Sequence, residues 1–169
     1  AAGFSTLSKE ALDRASDSVL IFSALFGATS PADPIPQYRM KMGVKLPGGT
    51  PRARWRGLWS QLDERADGEL VIDGRSGDYA DWRPSSALTV KIGAVRDLGG
   101  TRQVITHNAK YYRGLFTRLA LTADTPPTLA EDLAHLASSA GDPVIGDIEL
   151  TGTGTTQTIT VVERVSEAS

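Results

Sequence analysis

The chain has 169 residues, 40% of them hydrophobic and 22% charged, with a formal net charge of −2. A chain of this length can bury roughly 70% of its extended surface in a core, and the composition is that of a globular protein, neither disordered nor fibrous. Absence of cysteine removes disulfides, thiolate metal sites and cysteine nucleophiles from consideration, and the near-neutral total charge argues against an indiscriminate polyanion binder.

Two histidines, His107 and His135, show no metal-ligand spacing, so neither a metal nor a cofactor is expected. No apolar run approaches the ~20 residues of a membrane span, and the N-terminus lacks a basic region leading into a signal-like core. The expectation is a soluble, cytoplasmic protein with no membrane partner. The charges are segregated along the chain. Six bases and no acid lie between Pro34 and Leu62, namely Arg39, Lys41, Lys45, Arg52, Arg54 and Arg56. Arg102, Lys110, Arg113 and Arg118 form a second acid-free group, whereas from Asp124 onward eight acids face the single Arg164. Such segregation creates local positive fields on a chain of small net charge.

In chain order, "SKEALDRASDS" reads as a short helix with Ser8 as its N-cap and Glu10 in the first turn. "VLIFSALF" is expected to be a buried strand ending at Gly27. Pro31, Pro34, Pro36 and Pro47 then break the chain into turns and extended pieces, and "PGGTP" is a loop. In "RARWRGLWSQLDERA", Trp55, Leu58, Trp59 and Leu62 recur at the spacing of one helix face, which predicts a core-facing helix.

"GELVID" reads as a short buried strand and "GRSGDYADW" as a turn entering a helical piece. "LTVKIGAVR" and "RQVITH", joined by "DLGGT", predict a hairpin with glycines supplying positive φ. "NAKYYRGLFTRLAL" predicts an amphipathic helix, with Tyr112, Leu115, Phe116 and Leu119 on one face and Lys110, Arg113 and Arg118 broadly opposite. "TPPTLAEDLAHLASSAG" carries a capping-box pattern, Thr128 with Glu131, a stripe of Leu129, Leu133 and Leu136, and Gly141 as the stop. "GDIEL" and "TQTITVVER" close the chain as a terminal hairpin around "TGTGT". Separated strands and helices place the chain in the α+β or mixed α/β class, as a single domain over 1–169 with a mixed sheet and packed helices.

No Walker loop, dinucleotide fingerprint, nucleophile elbow or HExxH motif is present. Tyr38, Asp73, Arg75, Ser76, Tyr79 and His107 are candidates for a polar cleft. Asp73 stands at a strand end, where polar groups often face a crevice. Equally, Asp73 and Arg75 suit a turn that simply holds itself together. The basic residues suit phosphate, for which arginine offers a planar fork and lysine a mobile point charge. Tyr38, Tyr111 and Tyr112 are candidate stacking platforms for bases, although Tyr112 falls on the apolar face.

Three ordered blocks, "VLIFSALFGATSPADPIPQYRMKMGVKL", "LVIDGRSGDYADW" and "ITHNAKYYRGLFTRLAL", resemble the YaaA family of peroxide stress resistance proteins. The matched positions are Ser23, Leu25, Phe26, Gly27, Asp33, Tyr38, Arg39, Met42, Gly43, Leu46, Ser76, Tyr79, Lys110, Arg113, Gly114 and Arg118. The resemblance implies a mixed α and β fold in a bacterial, nonenzymatic protein. Its implied role is to protect cells from hydrogen peroxide, lower the iron available for Fenton chemistry and bind DNA, duplex or single-stranded, through a basic cleft. On that reading Arg39, Lys45, Lys110, Arg113 and Arg118 contact nucleic acid. The chain departs from the family in carrying Ser30 where an arginine is usual and Lys41 where an acid is common, and in the order Pro-Gln-Tyr-Arg. It resembles the C-terminal two-thirds of the family, and a helix-hairpin-helix element is expected in the N-terminal part not present here, as is a contact with that segment. The alternative function is an enzyme or small-ligand binder acting on a nucleotide or nucleobase in the polar cleft.

Overall fold

A computed structural model describes residues 2–105, 109–143 and 145–163. The chain is organised as two compact units. One comprises Leu7–Asp67 with Arg75–Ser85, and the other takes residues 2–6, 68–74 and the described part of 86–163.

In the first unit, helix α1 (Lys9–Ser18) starts where the Ser8 hydroxyl accepts the Ala11 N–H at 3.2 Å, and Ala11 and Ala15 are its buried face. The apolar run after it is not one strand. It folds back on itself as an antiparallel hairpin, β1 (Ile21–Ser23) and β2 (Gly27–Thr29), with Ser23 opposite Gly27. The cause is Ser23, whose Oγ accepts the N–H groups of Leu25 (3.2 Å) and Phe26 (2.9 Å) and so turns the chain. The tryptophan segment also departs from expectation. Helix α2 (Pro51–Arg56) is capped by Thr50, begins on proline and ends at Gly57. The chain continues as a 3₁₀ turn over Trp59–Leu62 and a short helix α3 (Asp63–Ala66). The tighter 3₁₀ winding breaks the 3.6-residue face, so Trp59 is buried while Leu58 stands 42% exposed.

The second unit holds a five-stranded mixed sheet formed by β3 (Leu70–Asp73), β4 (Leu88–Leu98), β5 (Thr101–Val104), β6 (Ile145–Thr153) and β7 (Thr156–Glu163). Strand β4 runs parallel to β3 and β7 and turns back through Gly99 and Gly100, both at positive φ, to pair antiparallel with β5. Strands β6 and β7 form the expected hairpin. At the sheet edge, β3 is half-buried rather than buried. Alternation along β4 and β7 turns Val90, Ile92, Ala94, Ile159 and Val161 to one side. Against them pack Tyr112 and Phe116 of helix α4 (Ala109–Thr122), and Ala130, Leu133 and Ala137 of helix α5 (Ala130–Ser139). Full burial of a side chain such as Phe116 contributes about 1.5–3 kcal/mol.

Helix α5 begins later than its sequence pattern suggests, so Asp132 rather than Glu131 reaches back. Its Oδ2 accepts from the N–H groups of Thr128 (3.1 Å) and Leu129 (3.0 Å). Leu129, left outside the helix, is 53% exposed. The mixed sheet with packed helices is the α+β architecture the sequence implies.

Candidate nucleic-acid interface

In the first unit the β1–β2 turn anchors the irregular segment that follows it. Ser23 Oγ, already holding the turn, is hydrogen-bonded to the Tyr38 hydroxyl. The Tyr38 ring meets Phe26 edge-on at 5.5 Å. Trp55 of α2 secures the other side of the turn by donating its indole N–H to the Ala24 carbonyl at 2.9 Å. Its ring packs on Gly27, whose φ is +80°, so closely that a Cβ there would lie 3.0 Å from the indole. Met42 is 1% exposed, and its carbonyl accepts the Arg52 N–H. Tyr38 and Arg39 thus leave the core on a chain fixed at both ends.

The cations of this unit divide into two classes. Arg52 is engaged, with Nε 3.0 Å from Asp81 Oδ2 and Nη2 donating to the carbonyls of Gly77 and Asp78. Arg75 lies over the Phe22 ring at 4.7 Å and donates to the Trp82 carbonyl at 2.7 Å. Arg65 donates to the Asp17 carbonyl at 2.7 Å. By contrast Arg39, Lys41, Lys45, Arg54 and Arg56 are exposed and have no ion pair among the described residues. Ser76 precedes a 3₁₀ turn over Gly77–Tyr79, its carbonyl accepting the Tyr79 N–H at 2.9 Å. The Tyr79 phenol is pushed above its ordinary pKa by burial, then by the neighbouring Tyr38 and Asp78.

In the second unit Asp73 ends β3, and Lys110 is exposed in the first turn of α4. Arg113 is half-buried, with its Cβ against Gly74. Arg118 serves the architecture. Its Nη1 donates to the carbonyls of Ala2 (3.1 Å) and Gly3 (3.2 Å) and to Thr6 Oγ1 (2.9 Å). Tyr111 donates to Asp142 at 2.6 Å, and buried Tyr112 to Glu163 at 3.2 Å. Burial and the Glu163 carboxylate raise the Tyr112 pKa far above that of a free phenol, so it remains a donor. His107 lies outside the described residues. Among the described residues no cluster of three or more His, Cys, Asp or Glu is placed to hold a metal ion, and no helix is long and apolar enough to cross a membrane.

The family model described as "Peroxide stress protein YaaA" matches residues 2–139. The chain belongs to the YaaA peroxide stress family. A UPF0246 protein of Corynebacterium glutamicum is 39% identical over 142 residues, covering 80% of this chain and 56% of the relative. One from Streptomyces coelicolor is 39% identical over 140 residues, covering 80% and 54%. A third, from Bordetella avium, is 33% identical over 130 residues, covering 69% and 49%. The chain therefore spans about half the length of these YaaA relatives. Several of the motif positions that carry the resemblance have architectural work here. Ser23 and Tyr38 join turn to segment, Gly27 admits Trp55, Met42 fills the core and Arg118 holds residues 2–6. Sequence reasoning missed the pairing between Ser23 and Tyr38, because their partnership is made by the turn and leaves no periodic trace.

Proposed function

We propose that this chain supplies DNA-backbone contacts to a nonenzymatic peroxide-stress protein of the YaaA family and thereby limits iron-driven damage to DNA. The observation that supports the reading is a run of five exposed cations between Arg39 and Arg56 in the first unit, Arg39, Lys41, Lys45, Arg54 and Arg56, without carboxylate partners among the described residues. Lys110 and Arg113 are proposed phosphate contacts of the second unit taken by itself, and they are not counted in the run of five. Arg118 is left out because its guanidinium is committed to residues 2–6. A protein cation that neutralises a phosphate releases the counterion condensed there. Ferrous iron is such a counterion; at DNA it reduces hydrogen peroxide to hydroxide and hydroxyl radical, becoming ferric. Displacing it from phosphate moves radical production away from the sugar.

Binding to duplex and single-stranded DNA across a salt series tests the reading. Five neutralised phosphates give a slope of log affinity on log salt of about −4 to −5 on duplex. A flat response overturns it.

A further inference from the structure

The chain has no cysteine and two methionines, Met40 and Met42, so the thioether is the only sulfur chemistry with which it meets an oxidant. The two stand two residues apart, yet the fold treats them differently. Met42 is 1% exposed, on backbone tied to α2 through the Arg52 N–H. Met40 is half-buried and forms part of the wall of a solvent-facing hollow of about 170 Å³ in the first unit, together with Leu25, Leu46, Trp55 and Arg54. Leu25 and Leu46 are each 42% exposed, so the wall is open to small solutes. A water molecule takes up about 30 Å³ of liquid, and hydrogen peroxide is little larger, so the hollow admits it.

Peroxide oxidises a thioether by oxygen transfer. A sulfur lone pair attacks one peroxide oxygen, and the S–O bond forms as the O–O bond breaks. The proton on the transferred oxygen passes to the departing hydroxide, which leaves as water; sulfur has lost two electrons and the peroxide has gained them. The product is polar where the thioether was apolar. Its oxygen is a strong acceptor, costly in an apolar wall unless a donor meets it. Arg54 is a donor in that same wall, and it has no ion pair among the described residues. We propose that Met40 is a site of peroxide modification whose sulfoxide oxygen is held by the Arg54 guanidinium, while the fold shields Met42. The modification is reversible, because methionine sulfoxide reductases restore the thioether, and enzymes of that class are the partners the site implies. None of this depends on DNA binding.

The test follows both methionines at once. Chain labelled with carbon-13 at the methionine methyl groups is treated with hydrogen peroxide and followed by NMR. Tandem mass spectrometry of a peptide spanning residues 39–46 assigns the added oxygen to one residue or the other. In the folded chain Met40 is expected to oxidise roughly tenfold faster than Met42, and in urea at the same rate. A mixture of methionine sulfoxide reductases A and B, which act on opposite sulfoxide epimers, should return the Met40 signal. Equal rates in the folded chain, or faster loss of Met42, overturn the site. Arg54→Ala keeps the thioether and removes the donor, so oxidation should lower the melting temperature of this variant further than that of the parent. Equal falls overturn the role of Arg54 and leave the selectivity for Met40 standing. Because the rates are read on the unaltered sequence, they decide the site even where the variant fails to fold.

Discussion

The Ser23 hydroxyl and the Tyr38 phenol are hydrogen-bonded to one another, and the same Ser23 oxygen accepts the backbone N–H groups of Leu25 and Phe26. One buried atom thus holds both the hairpin turn and the segment that carries Arg39. The two partners are not equivalent. Tyr38→Phe removes one bond and leaves the turn acceptor in place, with an expected cost of about 0.5–1.5 kcal/mol. Ser23→Ala leaves two amides without their acceptor and is expected to cost more, about 1–3 kcal/mol. Urea denaturation of the two variants checks the order, and equal costs would show that the turn does not depend on Ser23.

Gly27 is required twice over. Its φ of +80° is strained for any residue with a Cβ, and the indole of Trp55 occupies the space that a Cβ would need. Gly27→Ala is expected to lose about 1–2 kcal/mol from the backbone alone, and about 1–3 kcal/mol more from the displaced ring. In a Trp55→Leu background only the backbone part should remain. A double-mutant cycle measured by thermal unfolding reads the difference directly, and full additivity would mean that the ring yields without cost.

How far the sequence exposes this architecture depends on the range of the interaction. Helix α4 is legible because Tyr112 and Phe116 repeat on a single face, and the hairpins around Gly99 and Gly154 because glycine at positive φ marks a turn. The β1–β2 hairpin is hidden because its turn residues, Ala24, Leu25 and Phe26, are apolar; the signal is the hydroxyl of Ser23, one polar atom in a run that otherwise reads as strand. Cation roles are hidden for a similar reason. Arg54 and Arg52 stand two positions apart in one acid-free tract, yet among the described residues Arg52 alone of the two finds carboxylates, on Asp81 and Asp78, far along the chain. Arg118 resembles its helix neighbours Lys110 and Arg113 in sequence, but its partners are carbonyl groups near the N-terminus.

Two carboxylates give the second unit a defined response to acid. Backbone N–H groups of Thr128 and Leu129 hold Asp132 below the ordinary carboxylate range, and the Arg102 guanidinium, 2.6 Å away, does the same for Glu149. A folded-state pKa below the unfolded value means that the unfolded chain binds the proton first on acidification. The stabilisation is therefore complete above the unfolded carboxylate pKa of about 4 and is lost as pH falls through the depressed folded values. Asp132→Asn and Glu149→Gln should melt below the parent at neutral pH, and the gaps should close in acid. Melting curves over a pH series check this, and a gap that widens in acid contradicts the sign.

The division of the cations makes the DNA-binding reading quantitative. Arg39 and Lys45 are exposed and unpaired among the described residues, so Arg39→Gln and Lys45→Gln should each weaken binding to every DNA sequence alike and reduce the salt slope by about 1. Arg52→Gln and Arg118→Gln remove the same formal charge from residues already engaged by Asp81 and by residues 2–6. These two should lower stability while leaving the slope close to that of the parent. Equal slope changes across all four variants would show that binding follows net charge rather than these placed side chains. A slope change confined to Arg118→Gln would move the interface to α4, with the segment of residues 2–6 displaced when DNA binds.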